Sequence, residues 1–180
     1  MAEMIGPTSH YFYSLRLKLH YVDWGNPEKP PLLLIHGGRD HARNWDWVAQ
    51  DLRRDYHIIA PDLRGHGDSQ WAIGSSYAMI DYTLDVAQLL DALGAFPITI
   101  IGHSLGGAIA LQYTGTYPER VKKVVAIEGL GPPPHMRSMP LERLYRDSRC
   151  GSVMLPWTAE ICLERLGRES LYEPGESDPS

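Results

Sequence analysis

A serine flanked by glycines lies between a predicted strand and a predicted helix. The segment ITIIGHSLGGAIALQY (98–113) begins with an apolar run, turns at GHSLG and continues with helix-forming residues. A serine on so tight a strand-to-helix turn has a strained backbone, which lifts its hydroxyl clear of the sheet edge for attack on an acyl carbon. Gly102 and Gly106 suit this turn because they lack Cβ atoms that would collide between strand and helix. The pattern predicts Ser104 as a nucleophile; the competing interpretation is a glycine-rich turn into a packed helix.

Two backbone N–H groups are expected to face Ser104 as an oxyanion hole. The attacked carbonyl oxygen becomes an anion, and acyl-transfer sites hold donors where that charge develops. One donor is predicted to be the N–H of Leu105, at the positive end of the following helix. The other is expected from HGG at 36–38, which directly follows the apolar run 32–35, and we assign it to Gly38. A simple tight turn is the competing interpretation of these glycines.

Four short apolar runs predict the strands that lead into these turns. They occupy residues 32–35, 57–60, 98–101 and 124–127. Strands that are apolar on both faces belong to parallel sheets covered by helices. Residues 15–21 instead alternate apolar and polar side chains, which predicts an antiparallel edge strand. Its solvent-facing side is expected to carry Arg16, Lys18 and His20.

Segments with helical spacing separate the predicted strands. In the clearest of them the apolar positions are Ile80, Leu84, Ala87, Leu90 and Leu93. A second helix is predicted over 105–117, ahead of Pro118, and a shorter third one over 45–52. Strand and helix in alternation predict an α/β fold, with a doubly wound and mostly parallel sheet. A short helical C-terminal tail is expected to follow it.

Three motifs together resemble the α/β-hydrolase superfamily of serine-nucleophile type: HGG at 36–38, DLRGHGDS at 62–69 and GHSLGG at 102–107. The similarity runs from about residue 11 to about residue 131. It implies an α/β-hydrolase core with esterase, C–C hydrolase or related acyl hydrolase activity. Dehalogenases and epoxide hydrolases of the superfamily carry aspartate at the elbow, so Ser104 argues against both. In the family the middle motif shapes the rim of the site through Asp62, Arg64 and Gly65, and a structural role is the favoured interpretation of these residues here.

The superfamily orders its triad along the chain as nucleophile, acid and histidine. The predicted strand 121–127 corresponds to the sixth strand of the family and ends at Glu128, where a minority of members carry the acid. The resemblance makes Glu128 the candidate acid; a strand-end carboxylate near solvent is an equal alternative. None of the eight histidines follows an eighth strand, the family position of the base. His135 is the candidate surrogate base, on position alone.

The resemblance implies a core that is incomplete in this chain. The expected organisation is a partial α/β-hydrolase core over 1–131, part of a helical cap or a tail over 132–170, and a disordered end over 171–180. Two hypotheses follow: a serine hydrolase of small ester or related acyl substrates with an incomplete triad, or a non-catalytic pseudoenzyme or truncated isoform. An open sheet edge at 124–127 would favour self-association.

Composition limits the classes of partner. With 43% hydrophobic and 22% charged residues, the chain has the make-up of an ordinary globular domain. A net charge of -5 gives no positive field for nucleic acid. No apolar run is long enough to cross a bilayer, and no secretory signal starts the chain, so we expect no membrane partner and a cytoplasmic location. Cys150 and Cys162 fit reduced thiols.

No cofactor or metal is expected either. The sequence lacks a Walker loop, H-E-x-x-H and C-x-x-C, and the GHG at 65–67 is followed by Gln70 where a dinucleotide fingerprint needs a third glycine. The partner predicted from the serine motif is a small-molecule acyl substrate.

Overall fold

The computed structural model describes residues 6–129, which form a six-stranded sheet with helices on both faces. The strands are β1 (Thr8–Ser14), β2 (Leu17–Asp23), β3 (Pro31–Ile35), β4 (His57–Pro61), β5 (Ile98–His103) and β6 (Val121–Ile127). The helices are α1 (Asp46–Leu52), α2 (Met79–Leu93) and α3 (Leu105–Thr116). Single 3₁₀ turns at Ala42–Trp45 and Pro118–Arg120 precede α1 and β6.

The sheet order is β1-β2-β4-β3-β5-β6. Strands β4, β3, β5 and β6 run parallel, while β1 pairs antiparallel with β2 and β2 antiparallel with β4. The four apolar runs therefore do form a parallel sheet, and the predicted fold class is confirmed. Because β3 and β5 are neighbours, the loops that follow them emerge side by side at one edge of the sheet.

The N-terminal part of the sheet differs from the prediction of one edge strand. Leu15 and Arg16 form the turn of a hairpin, with φ of 46° and 70°, so the alternating segment 15–21 is split between a turn and β2. The side of β2 predicted to face solvent is not uniformly exposed either, since His20 is only 3% exposed. His20 was expected to face solvent, but it is buried because its ring pairs with the carboxylate of Asp62, which is distant in sequence.

Two apolar clusters lie on the two faces of the sheet. One packs α2 and α3 against β1, β3 and β5, with Leu89, Leu90, Ile109 and Tyr113 fully buried. The other packs the 3₁₀ turn and α1 against β2, β3 and β4 around Trp24, Leu34, Trp45 and Ala49. The predicted helical face of α2 was wrong at its start: Ile80 is 59% exposed, while Tyr82, Thr83 and Val86 are buried.

Several sequence predictions fall outside the described residues. These are His135, the cysteine pair, the cap or tail over 132–170 and the disordered end over 171–180. Within 6–129, no helix has the length and apolar character to span a membrane.

Candidate active site

Ser104 lies on the turn between β5 and α3, as the motif predicts. Strand β5 ends at His103 and α3 starts at Leu105, so a single residue makes the connection. Its backbone has φ 50° and ψ -112°, a combination that L-residues rarely adopt. Such a conformation costs on the order of 1–3 kcal/mol and persists only where the surrounding structure imposes it. The strain predicted for Ser104 is therefore present.

The glycines on either side of Ser104 allow the strand and the helix to cross closely. A Cβ atom on Gly102 would lie 2.3 Å from the carbonyl oxygen of Gly106. A Cβ atom on Gly106 would lie 2.2 Å from the carbonyl oxygen of Ile35, at the end of β3. Both contacts are with backbone, which cannot rotate away. The predicted reason for the two glycines holds at both positions.

The loop after β3 lies directly against the Ser104 turn. A Cβ atom on Gly37 would be 2.9 Å from Nδ1 of His103 and 3.4 Å from Cβ of Ser104, whereas one on Gly38 would be 3.9 Å from Cδ2 of Leu105. Gly37 thus makes the closer approach to the Ser104 turn, whereas Gly38 is the glycine that we assign as the second donor. A pair of glycines after a buried strand indicates that other atoms approach the backbone closely there.

The start of α3 supplies a free donor beside Ser104. The first N–H groups of a helix have no partner within the helix, and they lie at the positive end of its dipole. The hydrogen bonds of α3 begin with the N–H of Ala108, which donates to the carbonyl of Ser104, 3.1 Å away. The N–H of Leu105 is thus available to a bound anion. Leu105 and the loop at 37–38 lie next to each other, since a Cβ atom on Gly38 would be 3.9 Å from Cδ2 of Leu105.

Glu128 leaves the sheet next to the same turn. The N–H of Ser104 donates to the carbonyl of Ile127, 2.8 Å away, and Glu128 is the next residue, with φ 51°. Its side chain is 83% exposed and its Oε2 lies 3.7 Å from Nε2 of His103. The arrangement puts a carboxylate at the edge of the sheet that carries Ser104, in a position to orient a histidine there.

His36, the histidine of the HGG motif, is bonded to backbone groups rather than to Ser104. His36 is buried; it donates from Nδ1 to the carbonyl of Gly37 (2.7 Å) and accepts at Nε2 from the N–H of Leu63 (3.0 Å). Burial lowers the pKa of His36, which keeps the ring neutral and suited to both bonds. Within residues 6–129, no side chain hydrogen-bonds to Oγ of Ser104, so the described region does not place a base there.

Within the DLRGHGDS loop, Asp62 and Arg64 are buried, whereas Gly67 and Asp68 are exposed. The guanidinium of Arg64 makes two 2.7 Å bonds to the carboxylate of Asp85 in α2. Gly65 takes φ 75° and packs on Tyr77. The motif therefore joins the loop after β4 to α2, which favours the structural role assigned to it.

One cluster has the residue types of a metal site. His20, Asp62 and Asp68 offer ligand atoms within 4.8 Å of one another. However, Nδ1 of His20 and Oδ2 of Asp62 are bonded to each other at 2.7 Å, and the N–H of Asp68 donates to the same oxygen at 2.9 Å. These hydrogen bonds already occupy Nδ1 of His20 and Oδ2 of Asp62, two of the atoms that a cation would need.

The fold and the turn geometry agree with a known family. A profile described as the alpha/beta hydrolase fold matches residues 30–161, well over half of the chain. The protein belongs to the alpha/beta hydrolase fold family. The match extends past the described residues into the segment predicted to form a cap or tail.

Known alpha/beta hydrolases similar to this chain carry names from more than one chemistry. "Epoxide hydrolase 4" of Homo sapiens is 35% identical over 112 residues, covering 62% of this chain and 31% of that protein. "Probable serine hydrolase" of Drosophila melanogaster is 30% identical over 135 residues, covering 72% and 41%. The chain thus spans less than half the length of these two relatives. Similarity alone does not select one reaction within the family.

Solved structures give the same assignment. A putative lipase from Acinetobacter baumannii AYE superposes with a TM-score of 0.68 at 30% identity, covering 88% of this chain and 53% of that one. The crystal structure of a membrane phospholipase A, a bacterial virulence factor, gives a TM-score of 0.69 at 33% identity, covering 82% of this chain and 46% of that one.

Proposed function

We propose that this alpha/beta hydrolase performs acyl transfer from small ester or related acyl substrates through Ser104. The observation that carries the proposal is the strained turn at Ser104, held between a helix N-terminus and the glycine loop after β3. Attack by Oγ on the acyl carbon forms an O–C bond and moves negative charge to the carbonyl oxygen. In this proposal the N–H groups of Leu105 and Gly38 stabilise that charge. When this intermediate collapses, the bond to the leaving oxygen breaks, the leaving group takes up the serine proton, and Ser104 carries the acyl group until water releases it.

Glu128 is proposed as the acid partner of the site. Its carboxylate follows β6, one residue beyond the carbonyl that binds the N–H of Ser104. An acid in this position orients a histidine and stabilises its protonated form. Because the side chain is largely exposed, it has the freedom to reach such a partner. His135, outside the described residues, stays a prediction for the base.

The serine at the turn, rather than the relatives' names as a set, favours a serine reaction, and the substrate is not fixed by either. A serine stands at the turn, and the Drosophila relative is named a probable serine hydrolase. A lipase and a phospholipase occur among similar structures, and their names describe esters as substrates of those proteins. We extend only the ester class to this chain.

The second candidate is a protein of the same fold that binds ligand or partner without catalysis. It is favoured by the lack of any hydrogen bond to Oγ of Ser104 within residues 6–129. Loss of the base in a serine hydrolase lowers turnover by on the order of 10⁶. An oxyanion hole and binding alone retain about 10³ to 10⁴ over water, so the two candidates differ in acylation even without a visible base.

Acetylation by p-nitrophenyl acetate tests the proposal. Trypsin releases residues 65–120, which contain Ser104, as one peptide, and mass spectrometry then locates the acetyl group. We expect Ser104 of the native chain to be acetylated at least about 10³-fold faster than in the chain unfolded by guanidinium. Ser104→Ala should remove the acetyl group from this peptide.

A serine in the same peptide provides the matched control. Ser76 is exposed in the loop before α2, and Ser76→Ala should leave acetylation of Ser104 unchanged. Equal rates at Ser104 in the native and the unfolded chain would refute acyl transfer and leave the non-catalytic candidate. An unchanged rate in His135→Ala would remove that residue as the base.

A further inference from the structure

A second serine, far from Ser104, is hydrogen-bonded to a histidine that is in turn bonded to a carboxylate. Oγ of Ser9 lies 2.6 Å from Nε2 of His20, and Nδ1 of His20 lies 2.7 Å from Oδ2 of Asp62. Ser9 is on β1, His20 on β2, and Asp62 directly follows β4. The three side chains form a continuous serine–histidine–aspartate relay across three neighbouring strands.

The protonation states along this relay are fixed by its surroundings. Burial raises the pKa of the Asp62 carboxyl, but the N–H groups of Ala42 and Asp68 and the ring of His20 outweigh it, so the pKa lies below its ordinary range. Asp62 is therefore ionised and can only accept hydrogen bonds. Nδ1 of His20 therefore donates to Asp62, and in the neutral ring Nε2 is the atom that accepts from the Ser9 hydroxyl.

Solvent exposure differs among the three side chains in the way that a nucleophile and its base require. His20 and Asp62 have 4% and 5% of their side chains exposed, whereas Ser9 is exposed on the outermost described strand. Water is thus excluded from the ion pair that stabilises a protonated imidazole, while a reagent can reach the hydroxyl. This is the distribution that a general base needs.

We propose that Ser9, His20 and Asp62 form a second nucleophilic centre that reacts with small, activated acyl and phosphonyl donors. Ser9 lies within an extended strand rather than at a helix N-terminus, so the centre depends on a good leaving group. The ring of Tyr11, 5.2 Å from that of His20 and about half exposed, provides an apolar surface beside it.

The reaction of Ser9 with an activated ester needs no co-reactant. Oγ of Ser9 forms a bond to the acyl carbon, and the bond from that carbon to the leaving oxygen breaks to release p-nitrophenolate. The Ser9 proton passes to Nε2 of His20 and from there to solvent. With a fluorophosphonate, an Oγ–P bond replaces the P–F bond and fluoride leaves.

This centre is independent of the proposed site at Ser104. In the sheet order, β1 is four strands away from β5. At about 4.8 Å per strand, the two serines are separated by roughly 19 Å across the sheet. Trypsin also separates them, into the peptides 1–16 and 65–120.

Labelling by a fluorophosphonate probe in the Ser104→Ala background tests the proposal. The probe adduct is located by fragmentation of the peptide 1–16, which also contains Thr8 and Ser14. We expect an adduct on Ser9 that forms at least about 100-fold faster in the native chain than in guanidinium, the usual contribution of a general base. His20→Asn should reduce the native rate by a similar factor, and Ser9→Ala should remove the adduct.

Thr8 gives an internal control on the same strand. Its hydroxyl lies 2.7 Å from Nε2 of His10, and within residues 6–129 no carboxylate bonds to that ring. Thr8 should stay unlabelled. The same comparison is made in the parent chain, where trypsin separates the peptide of Ser9 from that of Ser104. Failure of Ser9 to react faster in the native than in the unfolded parent chain would overturn the proposal. A rate within two-fold of the parent in a folded His20→Asn variant would do the same.

Discussion

The close crossing of β3 and α3 beneath Ser104 makes Gly106→Ala the most informative substitution for the fold. Helix propensity alone predicts that alanine in α3 stabilises the protein by about 1 kcal/mol relative to glycine. The structure predicts the opposite sign. A Cβ atom would lie 2.2 Å from the carbonyl oxygen of Ile35, 2.7 Å from its carbonyl carbon and 2.6 Å from the carbonyl oxygen of His36.

The magnitude follows from how far the backbone must move. Ordinary contact starts near 3.4 Å, so α3 must shift by about 1 Å from β3, or the two must share that shift. Overpacking in a core costs about 1–3 kcal/mol even where side chains can adjust. Here the contacts are with backbone, so we expect the gain from propensity to be exceeded and the free energy of unfolding to fall by at least about 2 kcal/mol.

Guanidinium denaturation followed by circular dichroism measures the change. Gly38→Ala is the matched control, because its Cβ atom would meet only Cδ2 of Leu105, at 3.9 Å. We expect this control to change stability by no more than about 0.5 kcal/mol. If Gly106→Ala were as stable as the parent, or no worse than Gly38→Ala, the close crossing deduced here would be wrong.

Three further predictions concern buried charge and the exposed strand. Arg64→Ala should lower the free energy of unfolding by about 3–5 kcal/mol in denaturation, since it leaves Asp85 buried without its partner; a loss below 1 kcal/mol would contradict the buried pair. The lowered pKa of Asp62 stabilises the fold at neutral pH, and this contribution is lost as the pH falls through the folded-state pKa, so Asp62→Asn should flatten the stability profile below about pH 4; parallel profiles would refute this. Val125 and Ile127 on β6 are 45% and 42% exposed, so light scattering should detect self-association that lysine at both positions reduces; a monomeric parent would argue against it.

The elements that hold Ser104 were predictable from sequence because their signals are local. An apolar run, two glycines and a helical stretch specify the strand, turn and helix around Ser104, and the structure has each of them. The crossing at Gly106 was predicted for the same reason: glycine is needed where a Cβ atom has no room.

The predictions that failed depended on partners distant in sequence. His20 looked like a solvent-facing residue by its alternation, but Asp62, 42 residues further on, draws it into a buried pair. Ile80 fitted the apolar period of α2, yet the helix presents a face starting at Tyr82 to the sheet. Apolar periodicity predicts well where a helix or strand occurs. It predicts less reliably which side is buried, because polar side chains that are paired with each other can also be buried.

The role of the HGG motif was predictable from the sequence only in part. Its place after a buried strand indicated a loop near Ser104, and the loop is there. Which glycine approaches closest was not readable, because the distance depends on the side chain of His103 packing on Gly37. Likewise, the position of Glu128 beside the turn depends on the hydrogen bond between β6 and Ser104.

The most direct test of the account is the rate at which a fluorophosphonate labels Ser104 in the full chain. The strained turn and the adjacent N–H groups should make the native hydroxyl react at least about 10³-fold faster than the same serine in guanidinium. The adduct should appear on the peptide 65–120 and be absent from that peptide in Ser104→Ala. Equal rates in the native and the unfolded chain would contradict a positioned nucleophile at Ser104.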